Sequence, residues 1–163
     1  MSDGINRGKQ FEGVVRSAFE NVRDVSIDRL HDQTTGFRGS TNICDFIVYR
    51  KPYELYVECK SVHGNTLPFS NITSTQWNGL LEKSKIHGVF AGIICWWIDK
   101  DETKFLPIQD LEELKSWGFK SVRFDVLCGV PIQGKKKRVF FDYDMSYFLD
   151  NIEVCIGVNV HES

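Results

Sequence analysis

The stretch CDFIVYRKPYELYVECKS, residues 44–61, decides how this chain is read. Two apolar runs, at about 44–49 and 55–61, flank the polar RKPY, where Pro52 suits a turn and would break a central strand. The pattern predicts an antiparallel pair of strands. Yet Asp45 stands at the head of the first run, and Glu58 and Lys60 interrupt the second. Side chains alternate along a strand, so Glu58 and Lys60 share one face while Val57 and Cys59 share the other. Pairing through the short turn then brings Asp45 close to Glu58. Two acids forced together repel and lose hydration, so such a pair needs a compensating cation. Lys60 supplies one positive charge, and a divalent metal would supply two.

Magnesium takes oxygen ligands, commonly one or two carboxylates with waters and phosphate oxygens completing the octahedron. Asp45, Glu58 and the backbone carbonyl of Cys59 would form such a half-shell. An ion there would acidify its bound water and stabilise charge growing on a phosphate. Lys60 would orient or deprotonate the attacking water, or neutralise the phosphate. The chemistry expected is phosphodiester hydrolysis. Spacing alone also fits an ionic strand edge with no catalytic role, because Glu-x-Lys recurs by chance.

The rest of the chain sets the frame. Its 163 residues suffice for one domain, 1–163, with a sizeable core. With 42% hydrophobic and 26% charged residues the composition is that of an ordinary globular protein. The net charge of -2 means that any nucleic-acid surface must be local. The start SDGINRGKQ lacks the pattern of a signal peptide, and the longest apolar run, 88–98, is too short for a bilayer, so a cytoplasmic protein without membrane partners is expected. Five cysteines, lying singly and mostly in apolar runs, read as buried thiols.

Apolar residues at helical spacing predict a helix from Ile5 to about Val22, with Glu12 bordering its stripe. A strand is expected near 25–30, then the polar loop HDQTTGFRGS, residues 31–40. Ser74 or Thr75 is expected to cap a second helix from about Gln76 to His87, closed by Gly88. The run 89–98 reads as a central strand, KFLPI as a short one, and QDLEELKSWG as a third helix. SVRFDVL and KRVFFDY read as late strands around the turn IQGKKK, and MSYFLDNI as a last short helix. This order suggests an α/β mixed sheet with helices against it.

Three segments together resemble the RecU-type Holliday-junction resolvases of the PD-(D/E)XK nuclease superfamily: NRGKQFE at 6–12, CDFIVYRKPYELYVECKS at 44–61, and LPFSNITSTQ at 67–76. The likeness runs from about Asn6 to Trp117. It implies a restriction-endonuclease-like core with a mixed central β-sheet flanked by helices. It also implies a homodimer, magnesium dependence with manganese as a substitute, and paired symmetric nicks in a four-way DNA junction. Carried over by motif, Asp45 and Glu58 would hold metal and Lys60 would serve the water. Glu12 would complete the acidic cluster, directly or through water, and Gln76 would support the site or a phosphate. The family inserts a long stalk ahead of the catalytic Asp, where this chain has only residues 31–40.

Arg7 and Lys9 flank the first helix start and suit phosphate contact, as do Lys135, Lys136 and Lys137. Arg38 would reach phosphates and Phe37 unstacked bases at an open junction centre. Two other functions fit the same residues: a nuclease acting on ordinary duplex, and a non-catalytic DNA-binding module with structural acids.

Overall fold

The computed structural model describes residues 3–31 and 42–156. Helix α1 (Asp3–Glu20) leads into β1 (Ser26–Arg29), β2 (Phe46–Arg50) and the long β3 (Tyr53–Val62). After the short β4 (Thr66–Pro68) come α2 (Ser74–Ser84), β5 (Val89–Trp97), β6 (Glu102–Pro107) and α3 (Ile108–Ser116). The remainder is β7 (Ser121–Arg123), β8 (Val130–Pro131), β9 (Gly134–Lys136), β10 (Phe141–Tyr143) and α4 (Met145–Ile156).

The central sheet has the order β1-β2-β3-β5-β6-β8. β3 and β5 are parallel, joined through α2, and the other neighbours are antiparallel. The fold is therefore the expected mixed α/β sheet flanked by helices. β4 pairs with β7, and β9 with β10, as separate two-stranded ribbons.

Alternation along β3 divides the core. Leu55, Val57 and Cys59 face one apolar cluster with Phe11, Val15 and Phe19 of α1 and Phe148 and Ile152 of α4. Tyr56 and Val62 face the other, with Trp77 and Leu80 of α2 and Ile108 and Leu111 of α3. Glu58 and Lys60 belong by register to this α2 side. β5 does the same with its two indoles: Trp96 packs against Phe11 at a ring distance of 5.5 Å, and Trp97 lies in the opposite cluster. Cys44, Cys59 and Cys95 are buried free thiols, and Cys128 is half-buried.

Several local expectations shift. The cap of α2 is Thr73, rather than Ser74 or Thr75. Its backbone is extended, and its hydroxyl accepts from the Gln76 N–H at 3.2 Å. Helix α2 stops at Ser84, and Gly88, at φ 83°, serves the turn into β5 instead. The lysines of the expected turn IQGKKK lie partly in β9, with Lys136 opposite Phe141, because the reversal comes later, where the Lys137 N–H donates to the Phe140 carbonyl. SVRFDVL is a strand only to Arg123, after which a turn closes with the Val126 N–H on the Arg123 carbonyl. Helix α4 extends well past Ile152, to Ile156.

One contact sets how closely α2 approaches the segment that leads through Asp45 into β2. A Cβ placed on Gly79 would lie 2.2 Å from Cγ2 and 2.6 Å from Cβ of Ile43. Gly79 thus lets the helix lie directly on the segment leading to Asp45. In an exposed helix, Gly→Ala gains about 1 kcal/mol. Gly79→Ala is expected to reverse that sign and cost about 1–3 kcal/mol through overpacking, measured by urea unfolding.

Candidate active site

The site forms where β2 parts from β3. The ladder runs from Arg50↔Tyr53 to Phe46↔Val57, and the Asp45 N–H adds one more bond to the Val57 carbonyl at 3.0 Å. There the pairing ends. The next inward-facing N–H of β3, that of Cys59, donates instead to Asp45 Oδ2 at 2.8 Å. A side-chain carboxylate has replaced a main-chain carbonyl as the partner of the strand. In an extended strand the C=O of a residue points to the same side as its N–H. The Cys59 carbonyl therefore faces this opening too.

Glu58 is 5% exposed and is the buried charged side chain among the described residues. Its Oε1 accepts from Gln76 Nε2 at 2.9 Å and pairs with Lys60 Nζ at 3.1 Å. Three parts of the chain thus converge: the residue just ahead of β2, the centre of β3 and the first turn of α2. Burial pushes the Glu58 carboxyl up to about 8, the Asp45 charge and more weakly that of Glu12 adding to it, while Lys60 opposes. Burial also raises the Asp45 carboxyl, with the Cys59 N–H, then Lys60, a hydrogen bond from Glu58, and Arg29 resisting. These are the marks of two carboxyls sharing a proton. Burial and then Glu58 lift the neighbouring Cys44 thiol to about 12, so it is not a nucleophile.

Glu12 approaches from the α1 side of the sheet, opposite to the face that carries Glu58. Its Oε2 pairs with Arg29 Nη2 at 3.5 Å, and its charge still reaches Glu58. No group of three His, Cys, Asp or Glu side chains suited to a metal ion occurs among the described residues. The tight acid pair is Asp45 and Glu58. No local sequence pattern marks Arg29; the pairing of β1 with β2 sets it opposite Phe46, next to Asp45.

The donor set suits a hard divalent cation: two carboxylates and a strand carbonyl, with one ammonium against two acids. Of the basic residues, Arg7 is half-buried and Lys9 exposed on α1. Lys135, Lys136 and Lys137 are exposed on or beside β9, and Lys136 is paired with Asp101. Phe37 and Arg38 lie outside the described residues. Two concavities, one lined by Arg50 and Tyr53 and the other between α1 and β10, leave the acid pair untouched. No described helix is long and apolar enough to cross a membrane.

No family model matches the chain, and no curated protein does. Among solved structures, the fold is similar to that of Archaeoglobus fulgidus Hjc, described as a Holliday junction resolvase from an archaeal hyperthermophile. The TM-score is 0.45 at 17% identity, over 63% of this chain and 74% of that one. So loose a likeness assigns no activity.

The acid pair has a consequence for stability. A carboxyl whose folded pKa lies above its usual value, 4.5 for Glu58, holds a proton that the unfolded chain releases. Stability of the metal-free protein therefore falls as pH rises from about 4.5 to 8. Each such group contributes at most about 1.4 kcal/mol per pH unit. Glu58→Gln is expected to flatten this decline and to leave the metal-free protein no less stable at pH 8, read from melting curves across that range.

Proposed function

We propose that this protein is a divalent-metal-dependent DNA endonuclease of the PD-(D/E)XK type, acting as a homodimer on four-way junctions. The observation that supports it is the close pair of half-buried Asp45 and buried Glu58, with Lys60 and Gln76 bound to the same Glu58 oxygen. A structural ion pair has no need of a second acid withdrawn from solvent, whose repulsion lowers stability.

Asp45, Glu58 and the Cys59 carbonyl would hold magnesium, or manganese in its place. When bound, the ion would supply Lewis-acid charge and an acidified water. The chain's own groups do the rest. The Cys59 N–H fixes Asp45 in one rotamer, and Gln76 fixes Glu58. Lys60 keeps an ammonium beside the acids, where a phosphate oxygen or the attacking water would sit. Glu12, held by Arg29, adds negative charge from the sheet edge. Arg7 and Lys9, about one turn ahead of Glu12, would take the backbone phosphates, and Lys135 and Lys137 would extend that track.

A junction has approximate two-fold symmetry, so two coordinated nicks require two sites related by the same axis. The test is cleavage of labelled synthetic four-way junctions beside matched linear duplex, with both nicks mapped. Symmetric nicks in the junction alone support the reading. Equal cutting of duplex would make the chain a general nuclease, and no cutting with any divalent metal would make it a binding module.

Asp45→Asn, Glu58→Gln and Lys60→Ala are each expected to lower kcat/KM for cleavage at least about 100-fold while junction binding in gel shifts persists. In salt titrations of binding, Lys135→Ala should reduce the slope by about 1. Lys136→Ala should reduce it less, because Asp101 already neutralises that ammonium.

A further inference from the structure

The two ends of a glutamine amide have nearly the same shape and opposite hydrogen-bonding character, so beside a carboxylate only the NH2 end is useful. Gln76 has its other end occupied. Its Oε1 accepts from the main-chain N–H of Thr73 at 3.1 Å, and its Nε2 donates to Glu58 at 2.9 Å. Rotating the amide by half a turn would set its oxygen against Glu58 and its NH2 against an N–H. A protonated Glu58 could donate to that oxygen, but the contact at Thr73 would be repulsive in either protonation state, so the Thr73 N–H decides which end faces the acid. The Thr73 hydroxyl does something separate, accepting from the Gln76 N–H to complete the helix cap.

We propose that the main-chain N–H of Thr73 is a positioning group for the nuclease site, acting through Gln76 on the rotamer of Glu58. This rests on the reading of Glu58 as a metal-holding carboxylate. A helix cap, which is ordinarily a device of stability, here also aims a hydrogen bond at an acid on the neighbouring strand. Nothing in the side chain of Thr73 is required for that; a serine would serve as well.

The backbone lets the two roles be separated. Thr73 has φ -67° and ψ 159°, within the range of proline, and Ile72 at φ -104° and ψ 118° is extended, as a residue before proline should be. Thr73→Pro therefore deletes the N–H and the hydroxyl while keeping the backbone path. Thr73→Ala deletes the hydroxyl alone. Loss of the hydroxyl cap should lower the melting midpoint by about 2–4 °C in both.

Their difference isolates the N–H. In 1H–15N spectra of the metal-free protein, the two Gln76 Nε2 protons, one bonded to a carboxylate, should be well separated in the native chain and in Thr73→Ala. They should converge in Thr73→Pro. Thr73→Pro should also cleave junctions on the order of 10- to 100-fold more slowly than Thr73→Ala. Added to Gln76→Ala it should cost nothing further, as expected for two groups acting in series. Protons that stay separated in Thr73→Pro overturn the proposal, and so does an undiminished loss of cleavage in the Gln76→Ala background. A native chain that cuts no DNA would defeat the nuclease reading instead, and the amide signals would still decide whether Thr73 orients Gln76.

Discussion

Two carboxyls share one small opening between strands, and the surrounding structure is arranged around making that tolerable. In the Asp45 and Glu58 pair, each acid loses hydration, and the charge of Asp45 further disfavours ionised Glu58, while a hydrogen bond from Glu58 eases the cost for Asp45. Three kinds of group bond the two acids directly: the main-chain N–H of Cys59, the ammonium of Lys60 and the amide of Gln76, with the charge of Arg29 acting on Asp45 from farther off. Only one of the three bonded groups carries charge. The site is therefore short of positive charge in the protein itself, which is the electrostatic condition that attracts a divalent cation. A fully neutralised pair would have no such appetite.

The sheet explains why the opening exists at all. β3 has ten residues and β2 has five, so the longer strand continues beyond its antiparallel partner. On its other edge β3 stays paired with β5 through Val62, which holds the exposed stretch straight. One edge is thus rigid and the other is open over Glu58 to Lys60. The apolar clusters on both faces anchor this arrangement. Val57 and Cys59 on one face, and the partners of Trp77 and Leu80 on the other, leave Glu58 and Lys60 little freedom to turn elsewhere.

Much of this was legible in the sequence because it depends on period-two alternation around a short turn. Asp45, Glu58 and Lys60 could be placed together from the turn RKPY and the parity of the strand alone, and the mixed α/β sheet followed from the order of apolar runs. The cap of α2 was misplaced among the several hydroxyls of SNITSTQ, although Thr73 is the one with a glutamine three residues on, the spacing of a capping box. Glu12 and Arg29 form a pair that no local pattern predicts, because they come from a helix and an edge strand related only by the folded sheet. β10 was legible within KRVFFDY, but its partner β9 was hidden by composition: a run of lysines reads as a turn, yet exposed lysines are well suited to a short, solvated strand edge.

The placement of Glu12 bears on how a single sheet edge can organise charge from both of its faces. Glu58 and Lys60 project toward α2, whereas Glu12 descends from α1 on the opposite side, where Phe11 and Val15 are committed to the core. A helix that must bury its apolar stripe has only its border positions left for function, and Glu12 is such a position. Its charge acts on Glu58, and Arg29 at the strand edge donates to its carboxylate. Arg29 also opposes the raised Asp45 carboxyl. One guanidinium thereby moderates both acids that lie outside the reach of Gln76, so the edge carries a graded field: a deeply buried acid tied to Lys60 and Gln76, a half-buried one tied to the backbone, and an outer one tied to arginine. That gradient, more than the identity of any single residue, is what distinguishes this edge from an ordinary charged strand end.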